Sequence, residues 1–445
     1  MPPSPPDSVL HITGGRPLHG RARIGGSKNA SLPIMAACLL TREPVRLHNL
    51  AGVADTELMR GILRELGVAV KTKGPDAAVI TATDVGDTVP DAMGRRMRAS
   101  VVLLGALITR VGAARLPKPG GDQIGARRVE MHIRGLRAMG AEIVETAAEF
   151  IARAPGGLHG ARVVLDMPTV TGTENIVMAA VQASGRTEIY NAAREPHVQD
   201  LCRFLRSMGA NIRGAGTDEI VVQGVRRLRG TEHTVIADYL EAGTYAIAAA
   251  AAGGDVLLDD APAHDLPSVL LKLQEAGAEI ETCEGSIRVH REAAKPLHPV
   301  DLMTWAHPGF PTDLQPQYVA LMTQAEGSSI ITEPIYENRF QHVTELTRMG
   351  ARISTNGRDA FVRGPARLHG TDVSAPDIRS GAALVIAALC ARETTEIAEG
   401  WHIERGYEDM PGKLRALGAQ VEVRPPDRSP GDRPLAKTAL RTTSE

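Results

Sequence analysis

Aromatic residues and net charge are both scarce in this sequence, and each shortage limits what the protein can bind. Phe, Trp and Tyr make up 3% of the 445 residues, and the formal net charge is −2. Proteins that bind single-stranded nucleic acid stack its bases on aromatic side chains, which are few here. Proteins that bind nucleic acid or an anionic membrane carry a net positive charge, which this chain lacks, so neither is predicted as a partner. The length and the 43% hydrophobic content predict a globular protein of two domains.

Cysteine and long apolar runs are scarce as well. The longest apolar run, "AIAAAAA" at 246–252, is too short to span a bilayer, and "MPPSPPDS" lacks the pattern of a signal peptide, so a cytoplasmic protein is expected. Residues 424–445 are rich in proline and charge and are predicted to be disordered. Four widely spaced cysteines show no metal-ligand spacing and are predicted to be buried apolar residues in a reducing compartment: Cys38, Cys202, Cys283 and Cys390.

A repeated segment is the most informative pattern in the chain. "LRELGVAV" (63–70), "LRAMGAEI" (136–143) and "LRSMGANI" (205–212) are three of its six copies. Each copy predicts an amphipathic helix that ends at a glycine in the left-handed conformation and is followed by a short strand. The glycines recur every 68 to 73 residues and are Gly67, Gly140, Gly209, Gly277, Gly350 and Gly418.

Alanine-rich apolar segments and further strand-like stretches lie between these copies. "SLPIMAACLL", "SVVLLGALI", "ENIVMAAVQA", "AGTYAIAAAAA" and "GAALVIAALCA" predict helices with small side chains that suit close packing in a bundle. "PVRLHNL", "RTEIYNA", "GDVLLDD", "SIITEPI" and "TTEIAEG" predict strands. The period exceeds the roughly 20–50 residues of solenoid repeats, so we expect six α/β units, three in each domain.

A loop with one acid stands apart from this pattern. "LPKPGGDQIGARR", residues 116–128, places Asp122 among two prolines and three glycines, just before Arg127 and Arg128. Composition alone predicts a surface loop that can move.

Nine motifs in this order resemble the enolpyruvyl transferases, and the resemblance extends from about residue 10 to 423. They are "GGSKNASLPIMAACLL", "MRASVVLLGALI", "PGGDQIGARRVEMHIRGLRAMGAEI", "TVTGTEN", "NAAREP", "HPGFPTDLQPQ", "ITEPIYENRF", "DIRSGAALV" and "HIERGYE".

This resemblance implies an α/β fold of two inside-out α/β barrels, each built of three βαβαββ-type repeats. One domain would comprise residues 1–22 and 236–423, and the other would comprise residues 23–235 with a mobile loop over 113–127. The reaction implied is transfer of the enolpyruvyl group of phosphoenolpyruvate to the 3-hydroxyl of UDP-N-acetylglucosamine, with release of phosphate. That reaction is the first committed step of peptidoglycan precursor synthesis, and the domains would close around both substrates.

Phosphoenolpyruvate carries a carboxylate and a phosphate, so its site must collect cations, among which arginine suits planar anions. By resemblance, Lys28, Arg127 and Arg405 contact these groups, and Arg339 and Arg379 complete the set. Outside the motifs, each would be interpreted as a surface residue, with each arginine in a salt bridge. Lys28 also follows "GGS" at a predicted helix start, where free N–H groups favour anions.

Asp313 is the candidate for receiving the proton of the acceptor hydroxyl or orienting that hydroxyl, which requires it within hydrogen-bond reach. "FPTDLQ" alone favours a helix N-cap, although the two roles can coexist, and the resemblance favours the role at the acceptor hydroxyl. By resemblance the acceptor contacts are Asn29 for the sugar, Thr169, Val170 and Arg127 for the diphosphate, Arg128, Val129, Glu130 and Met131 beside the uracil, Ile335, and Arg98 near the sugar or the domain interface.

Asp122 stands where the family usually has a cysteine, which implies that it is the general acid for the methylene carbon of phosphoenolpyruvate. A protonated carboxyl needs a raised pKa, which burial under a closed loop favours and the nearby arginines oppose. We expect the anionic substrate to neutralise those arginines. Fosfomycin inactivates the family by alkylating the loop thiol, so resistance to it is expected here.

Departures from the family pattern lie on the acceptor side, at Val102, Met167 and Glu130 and in the shortened stretch "AGVADTELM". They leave open an enolpyruvyl transferase that acts on another uridine nucleotide such as UMP in nucleoside-antibiotic synthesis. The 5-enolpyruvylshikimate-3-phosphate synthase branch fits less well, and an inactive sugar-nucleotide sensor is the non-enzyme alternative. No cofactor or metal is expected, and the chain is expected to be a monomer or weak homo-oligomer.

Overall fold

A computed structural model describes residues 8–425. Most of the predicted disordered tail, residues 426–445, lies outside the described residues. The strands are β1 Val9–Thr13, β2 Leu18–Arg23, β3 Val45–His48, β4 Ala69–Thr72, β5 Ala78–Thr81, β6 Ala113–Pro117, β7 Glu142–Glu145, β8 Glu149–Arg153, β9 Arg162–Val164, β10 Arg186–Tyr190, β11 Asn211–Arg213, β12 Glu219–Gln223, β13 Glu232–Thr234, β14 Gly254–Asp259, β15 Glu279–Cys283, β16 Ser286–Arg291, β17 Leu302–Met303, β18 Gly327–Thr332, β19 Arg352–Asn356, β20 Asp359–Gly364, β21 Asp372–Ser374, β22 Thr394–Ala398 and β23 Gln420–Arg424.

The helices alternate with these strands. They are α1 Lys28–Ala37, α2 Ala54–Glu65, α3 Asp91–Gly94, α4 Leu103–Val111, α5 Glu130–Ala138, α6 Val170–Ala180, α7 Pro196–Ser207, α8 Tyr239–Ala252, α9 Pro267–Glu275, α10 Gln315–Met322, α11 His342–Arg348, α12 Ile378–Cys390, α13 Trp401–Glu404 and α14 Met410–Ala416. Among the helices of residues 8–425, none is long and apolar enough to cross a membrane.

The described residues form six small sheets that share one strand arrangement, which confirms the predicted repeat. In the clearest unit, β9 and β10 run parallel and are joined through α6, and α7 leads into the hairpin of β11 and β12. Strand β12 then pairs antiparallel with β10, which gives the order β11-β12-β10-β9. Five sheets have four strands, and the β6-β8-β7 sheet has three, extended by a parallel bridge between Thr88 and Arg115.

The sheets enclose two separate hydrophobic cores, which define two lobes. The core of lobe 1 runs from Ala30 to Val235, and that of lobe 2 combines residues 10–24 with residues 239–421. The chain closes each lobe with a strand distant in sequence, because β13 pairs with β3 in lobe 1 and β1 lies between β22 and β23 in lobe 2. The chain therefore crosses between the lobes near residues 25–29 and 236–238.

Buried helices occupy the interior of each lobe, with the sheets outside. Helices α1, α4 and α6 in lobe 1 and α8, α10 and α12 in lobe 2 pack against one another. Small residues permit this approach, since a side chain at Gly105 would place its Cβ 2.4 Å from the carbonyl oxygen of Asn175. The five alanine-rich helices are confirmed, whereas α10 escaped prediction because its buried Gln315 and Gln317 are polar.

The six repeat glycines adopt the predicted left-handed conformation, with φ between 87° and 103°. Two other predictions are wrong in part. Cys38 and Cys202 are buried, but Cys283 is exposed on β15 and Cys390 is half-buried at the end of α12. The loop predicted over residues 113–127 begins later, because residues 113–117 form β6 and pair with β8; we call residues 118–129 the lid.

Candidate active site

The starts of several core helices meet between the two lobes. Lys28 opens α1 behind the N-cap Ser27, and its backbone N–H donates to Asp238 Oδ2 at 3.2 Å. Asp238 caps α8 of lobe 2 through the N–H groups of Leu240 and Glu241, so the two helix starts share one carboxylate. Because helix N-termini favour anions, this junction suits a negatively charged ligand.

Arg405 of lobe 2 joins two carboxylates of lobe 1. Its Nε donates to Asp55 Oδ1 at 3.0 Å, and its Nη1 donates to Asp122 Oδ1 of the lid at 2.9 Å. Lys28 Nζ lies 3.7 Å from the other oxygen of Asp55. Burial lowers the pKa of Lys28 in spite of the attraction of Asp55. Two acids and two cations from four chain segments thus converge on one point.

Asp55 is a site residue that the sequence reasoning missed. It is 4% exposed in the first turn of α2, where an acid is ordinarily explained by the helix dipole. Its partner Arg405 lies 350 residues away in sequence, so no local pattern signals the pair.

We expect Asp55→Asn to lower the free energy of unfolding by about 1.5–3 kcal/mol, because it weakens a buried charged hydrogen bond. Urea unfolding measures the change, and Asp218→Asn, at an exposed acid, is the control. Unchanged stability would mean that Asp55 does not hold the two cations.

Asp122 is a buried carboxylate held by cations. Its side chain is 13% exposed. Burial raises its pKa, but Arg405, Lys28 and Arg127 outweigh burial, so the pKa of Asp122 lies below the ordinary value. The arginine effect expected from the sequence therefore dominates, and Asp122 is ionised at neutral pH.

Asp313, whose side chain is 28% exposed, forms a second ion cluster with two buried arginines. Its Oδ1 accepts from Arg339 Nη2 at 2.9 Å, and its Oδ2 accepts from Arg379 Nη2 and Nε at 3.1 and 3.2 Å. Burial is opposed by Arg379, Arg339 and Lys28, which together hold the pKa of Asp313 far below its usual range. A carboxylate with so low a pKa can orient a hydroxyl by accepting its hydrogen bond. It holds a proton taken from that hydroxyl only transiently.

The N-cap alternative for Asp313 is wrong. Asp313 lies inside a 3-10 turn, Thr312–Leu314, and Leu314 is the residue that precedes α10. The side chain turns to Arg339 and Arg379 because these guanidinium groups, 2% and 3% exposed, need a counter-charge. Arg379 also stacks over Tyr407 at 5.2 Å. We call Lys28, Arg339, Arg379 and Arg405 the cation cluster.

The residues expected to contact the acceptor lie along lobe 1 and the lid, except Ile335, which belongs to lobe 2. Burial and the neighbouring Arg127 lower the pKa of Arg98 to about 10. Arg127 adopts a φ of 41°. Its guanidinium lies 5.9 Å from the centre of the Tyr336 ring, and the guanidinium of Arg339, which belongs to lobe 2, lies 6.0 Å from the same ring. Arg127 therefore lies near the cation cluster.

The segment expected beside the uracil is more open. The side chains of Arg128 and Glu130 are 77% and 63% exposed and lie 4.0 Å apart. The half-buried members of the acceptor set are Asn29, Val129, Met131, Thr169, Val170 and Ile335. Next to this segment, His132 is buried against Asn175 and Thr171, and burial lowers its pKa to about 3. Neutral His132 thus anchors the end of this segment to Thr171 and Asn175 of α6.

Groups of three or more His, Cys, Asp or Glu side chains able to hold a metal ion do not occur in residues 8–425. The charges of the site are those of arginine, lysine and carboxylate groups. The arrangement can bind a small molecule with two anionic groups, orient a hydroxyl at Asp313 and bring a carboxyl group over the bound molecule from the lid.

Comparison with known proteins bears on this chemistry. A family model described as EPSP synthase (3-phosphoshikimate 1-carboxyvinyltransferase) matches residues 12–414. UDP-N-acetylglucosamine 1-carboxyvinyltransferase from Sorangium cellulosum is 48% identical over 413 residues, which are 93% of this chain and 97% of that protein. The enzyme of the same name from Granulibacter bethesdensis is 46% identical over 93% of this chain and 98% of its own length.

Solved structures agree in fold. The enolpyruvyl transferase NikO from Streptomyces tendae superposes with a TM-score of 0.85 at 26% identity, over 94% of this chain and 99% of that one. EPSP synthase from Acinetobacter baumannii superposes with a TM-score of 0.71 at 18% identity, over 94% and 100% of the two chains, which is a likeness of fold alone. The two-lobed architecture of inside-out barrels is thus shared.

Proposed function

The chain belongs to the EPSP synthase family of enolpyruvyl transferases, and from this premise we propose that it transfers the enolpyruvyl group of phosphoenolpyruvate to the 3-hydroxyl of UDP-N-acetylglucosamine and releases phosphate. One observation carries the proposal. Lys28 from lobe 1, Arg405 from lobe 2 and Asp122 from the lid converge on one point, so cations and an acid are supplied together. The product is a precursor of peptidoglycan, and this step commits the sugar nucleotide to that use.

Phosphoenolpyruvate binds through its phosphate and carboxylate to the cation cluster and Arg127. Its anionic groups replace Asp122 on Arg405 and offset the positive charge that lowers the pKa of Asp122. Burial beneath the closed lid then dominates and raises that pKa, so Asp122 can bind a proton. The substrate thereby creates the acid that the reaction needs.

The addition step forms a bond between the sugar 3-oxygen and C2 of phosphoenolpyruvate. Asp313 orients the hydroxyl and takes up its proton, while Asp122 delivers a proton to C3. In the elimination step, the Asp122 carboxylate takes a proton back from C3 and the double bond returns. The C2–O bond to phosphate breaks, and the proton held by Asp313 passes to the departing phosphate. The cation cluster stabilises the charge of the departing phosphate.

A phosphate-release assay with an acceptor panel tests the proposal. Phosphoenolpyruvate with UDP-N-acetylglucosamine should release phosphate, whereas UMP and shikimate 3-phosphate should not. Acceptor binding without phosphate release would support the inactive sensor and overturn the enzyme proposal.

One feature of the acceptor side of the site favours a second acceptor. Met167 is an apolar side chain, 45% exposed, close in sequence to Thr169, where the resemblance implies a cation for the diphosphate. Val102 is buried in the core of lobe 1, so that departure concerns packing. Phosphate release with UMP and none with UDP-N-acetylglucosamine would favour the nucleoside-antibiotic alternative.

Lys28 should set the alkaline limit of activity. Its pKa lies below the ordinary lysine value of 10.5 because burial disfavours the charged form. We therefore expect kcat/KM for phosphoenolpyruvate to fall as the pH rises through a pKa below 10.5. Since arginine stays charged, Lys28→Arg should move this limb to higher pH, and identical alkaline limbs in both proteins would assign the limit to another group.

The assignments of Asn29, Arg98, Arg128–Met131, Thr169, Val170 and Ile335 to the acceptor are part of the proposal. So are the domain bounds, with residues 1–22 and 236–423 in one domain and 23–235 in the other, for which the two separate cores give support. We also propose that the protein is cytoplasmic, because both substrates are cytoplasmic metabolites, and that it is a monomer or weak homo-oligomer.

A further inference from the structure

The lid rests on one short segment of lobe 2. Asn338 donates twice to it, from its backbone N–H to the Ile124 carbonyl at 3.1 Å and from Nδ2 to the Gln123 carbonyl at 2.8 Å. Gln341 Nε2 donates to the same Gln123 carbonyl at 2.5 Å. Glu337 Oε1 accepts from the Ala126 N–H at 2.7 Å. We call Glu337, Asn338 and Gln341 the latch.

The latch acts next to the proposed acid. Gln123 follows Asp122 directly, and its carbonyl receives two amide donors. On the other side of Asp122, Gly121 lies against Arg98, because a Cβ there would be 2.9 Å from the Arg98 Cβ. The backbone around Asp122 is therefore fixed on both sides.

The lid sequence is suited to this contact. Gly125 has a φ of 154°, and a Cβ at that position would lie 2.6 Å from Glu337 Oε2, so glycine allows the close approach. Ile124 is 4% exposed. It lies in the chain between the Gln123 carbonyl and the Ala126 N–H, which both bind the latch. The lid thus approaches the latch with backbone groups and one buried side chain.

The same segment also carries a member of the cation cluster. Arg339 lies between Asn338 and Gln341 and binds Asp313 at 2.9 Å. The segment that holds the lid therefore also holds the carboxylate that orients the acceptor hydroxyl. The latch hydrogen bonds are solvent-exposed, so they can break and re-form during each turnover.

We propose that Glu337, Asn338 and Gln341 are positioning residues that hold the Gln123 peptide and so place Asp122 over the substrate bound in the cation cluster. The proposal rests on the proposed function, because it gives the lid carboxyl its working position. The latch residues touch no reacting atom and act only through the backbone of the lid.

The test uses the full chain with Asn338→Leu/Gln341→Leu, which removes both side-chain donors to Gln123. Two hydrogen bonds of ordinary strength correspond to a loss of kcat of about 5- to 100-fold. KM for phosphoenolpyruvate should stay within about twofold, because the cation cluster that binds its phosphate and carboxylate is untouched. Gln274→Leu, at an exposed glutamine of α9, is the matched control and should leave kcat unchanged.

Trypsin provides a readout that does not need turnover. The lid carries Arg127 and the exposed Arg128 near its C-terminal end, and the unlatched variant should be cut there about 10-fold faster than wild type. Glu337→Gln keeps an acceptor oxygen for Ala126 and should behave as wild type, whereas Glu337→Ala should be cut faster.

A variant with kcat within twofold of wild type, or with an unchanged rate of cleavage in the lid, would overturn the latch. Wild type that releases no phosphate from the two substrates would overturn the proposed function instead. In that case faster cleavage of the variant would still establish the contact, and unchanged cleavage would exclude it.

Discussion

Asp122→Asn is expected to lower kcat by about 10²–10⁴-fold, because the amide cannot deliver a proton to C3 of phosphoenolpyruvate. Its size and its Oδ1 acceptor for Arg405 are kept, so the fold and the lid contact should survive. Phosphate release measures kcat, and urea unfolding verifies that the variant is folded. Near-normal kcat in Asp122→Asn would show that another group supplies the proton.

Asp122→Cys is the informative companion variant. A thiol can replace the carboxyl as proton donor, so activity should persist, and time-dependent inactivation by fosfomycin should appear. Wild type should resist the drug, because the lid of this chain carries no thiol. Progressive inactivation of wild type at micromolar fosfomycin would contradict the assigned role of position 122.

The contribution of the Asp122–Arg405 ion pair to stability also depends on pH, and the lowered pKa of Asp122 fixes the direction. The pKa of Asp122 in the folded protein lies below the ordinary value of 3.8, so the pair contributes fully above that value. Its contribution is lost as the pH falls through the lowered pKa. Lid closure should therefore persist at neutral pH and weaken in strong acid.

Asp313→Asn is expected to impair both catalysis and stability. Turnover should fall by about 10²-fold or more, because the amide cannot take up the proton of the hydroxyl. Arg339 and Arg379 would then be two buried cations without their counter-charge, which should cost about 3 kcal/mol of unfolding free energy. Steady-state kinetics and urea unfolding measure the two effects.

A double variant separates the two effects of Asp313→Asn. Adding Arg339→Met removes one unpaired cation and should restore part of the lost stability without restoring turnover. Asp218→Asn, at an exposed acid, serves as the control for the chemical change. Stability losses that simply add in the double variant would show that Asp313 and Arg339 are not energetically coupled.

The sequence by itself determined the repeat and supplied the candidates for the reacting groups. Six glycines at a regular interval required helix ends in the left-handed conformation, and all six have it, because this constraint acts within a few residues. Alanine-rich segments specified buried helices for the same local reason. The motifs that resemble the enolpyruvyl transferases supplied Lys28, Asp122 and Arg405 before any geometry was known.

Only the tertiary structure decided how these groups are paired. Asp55 binds Arg405 across 350 residues, and Asp313 binds Arg379, 66 residues away, instead of capping a helix. Helix and strand patterns encode which face is buried, but not which buried charge meets which. The ion pairs form only when the two lobes and the lid pack together. A charged group removed from water is stable only next to an opposite charge, and the tertiary fold decides which opposite charge is near.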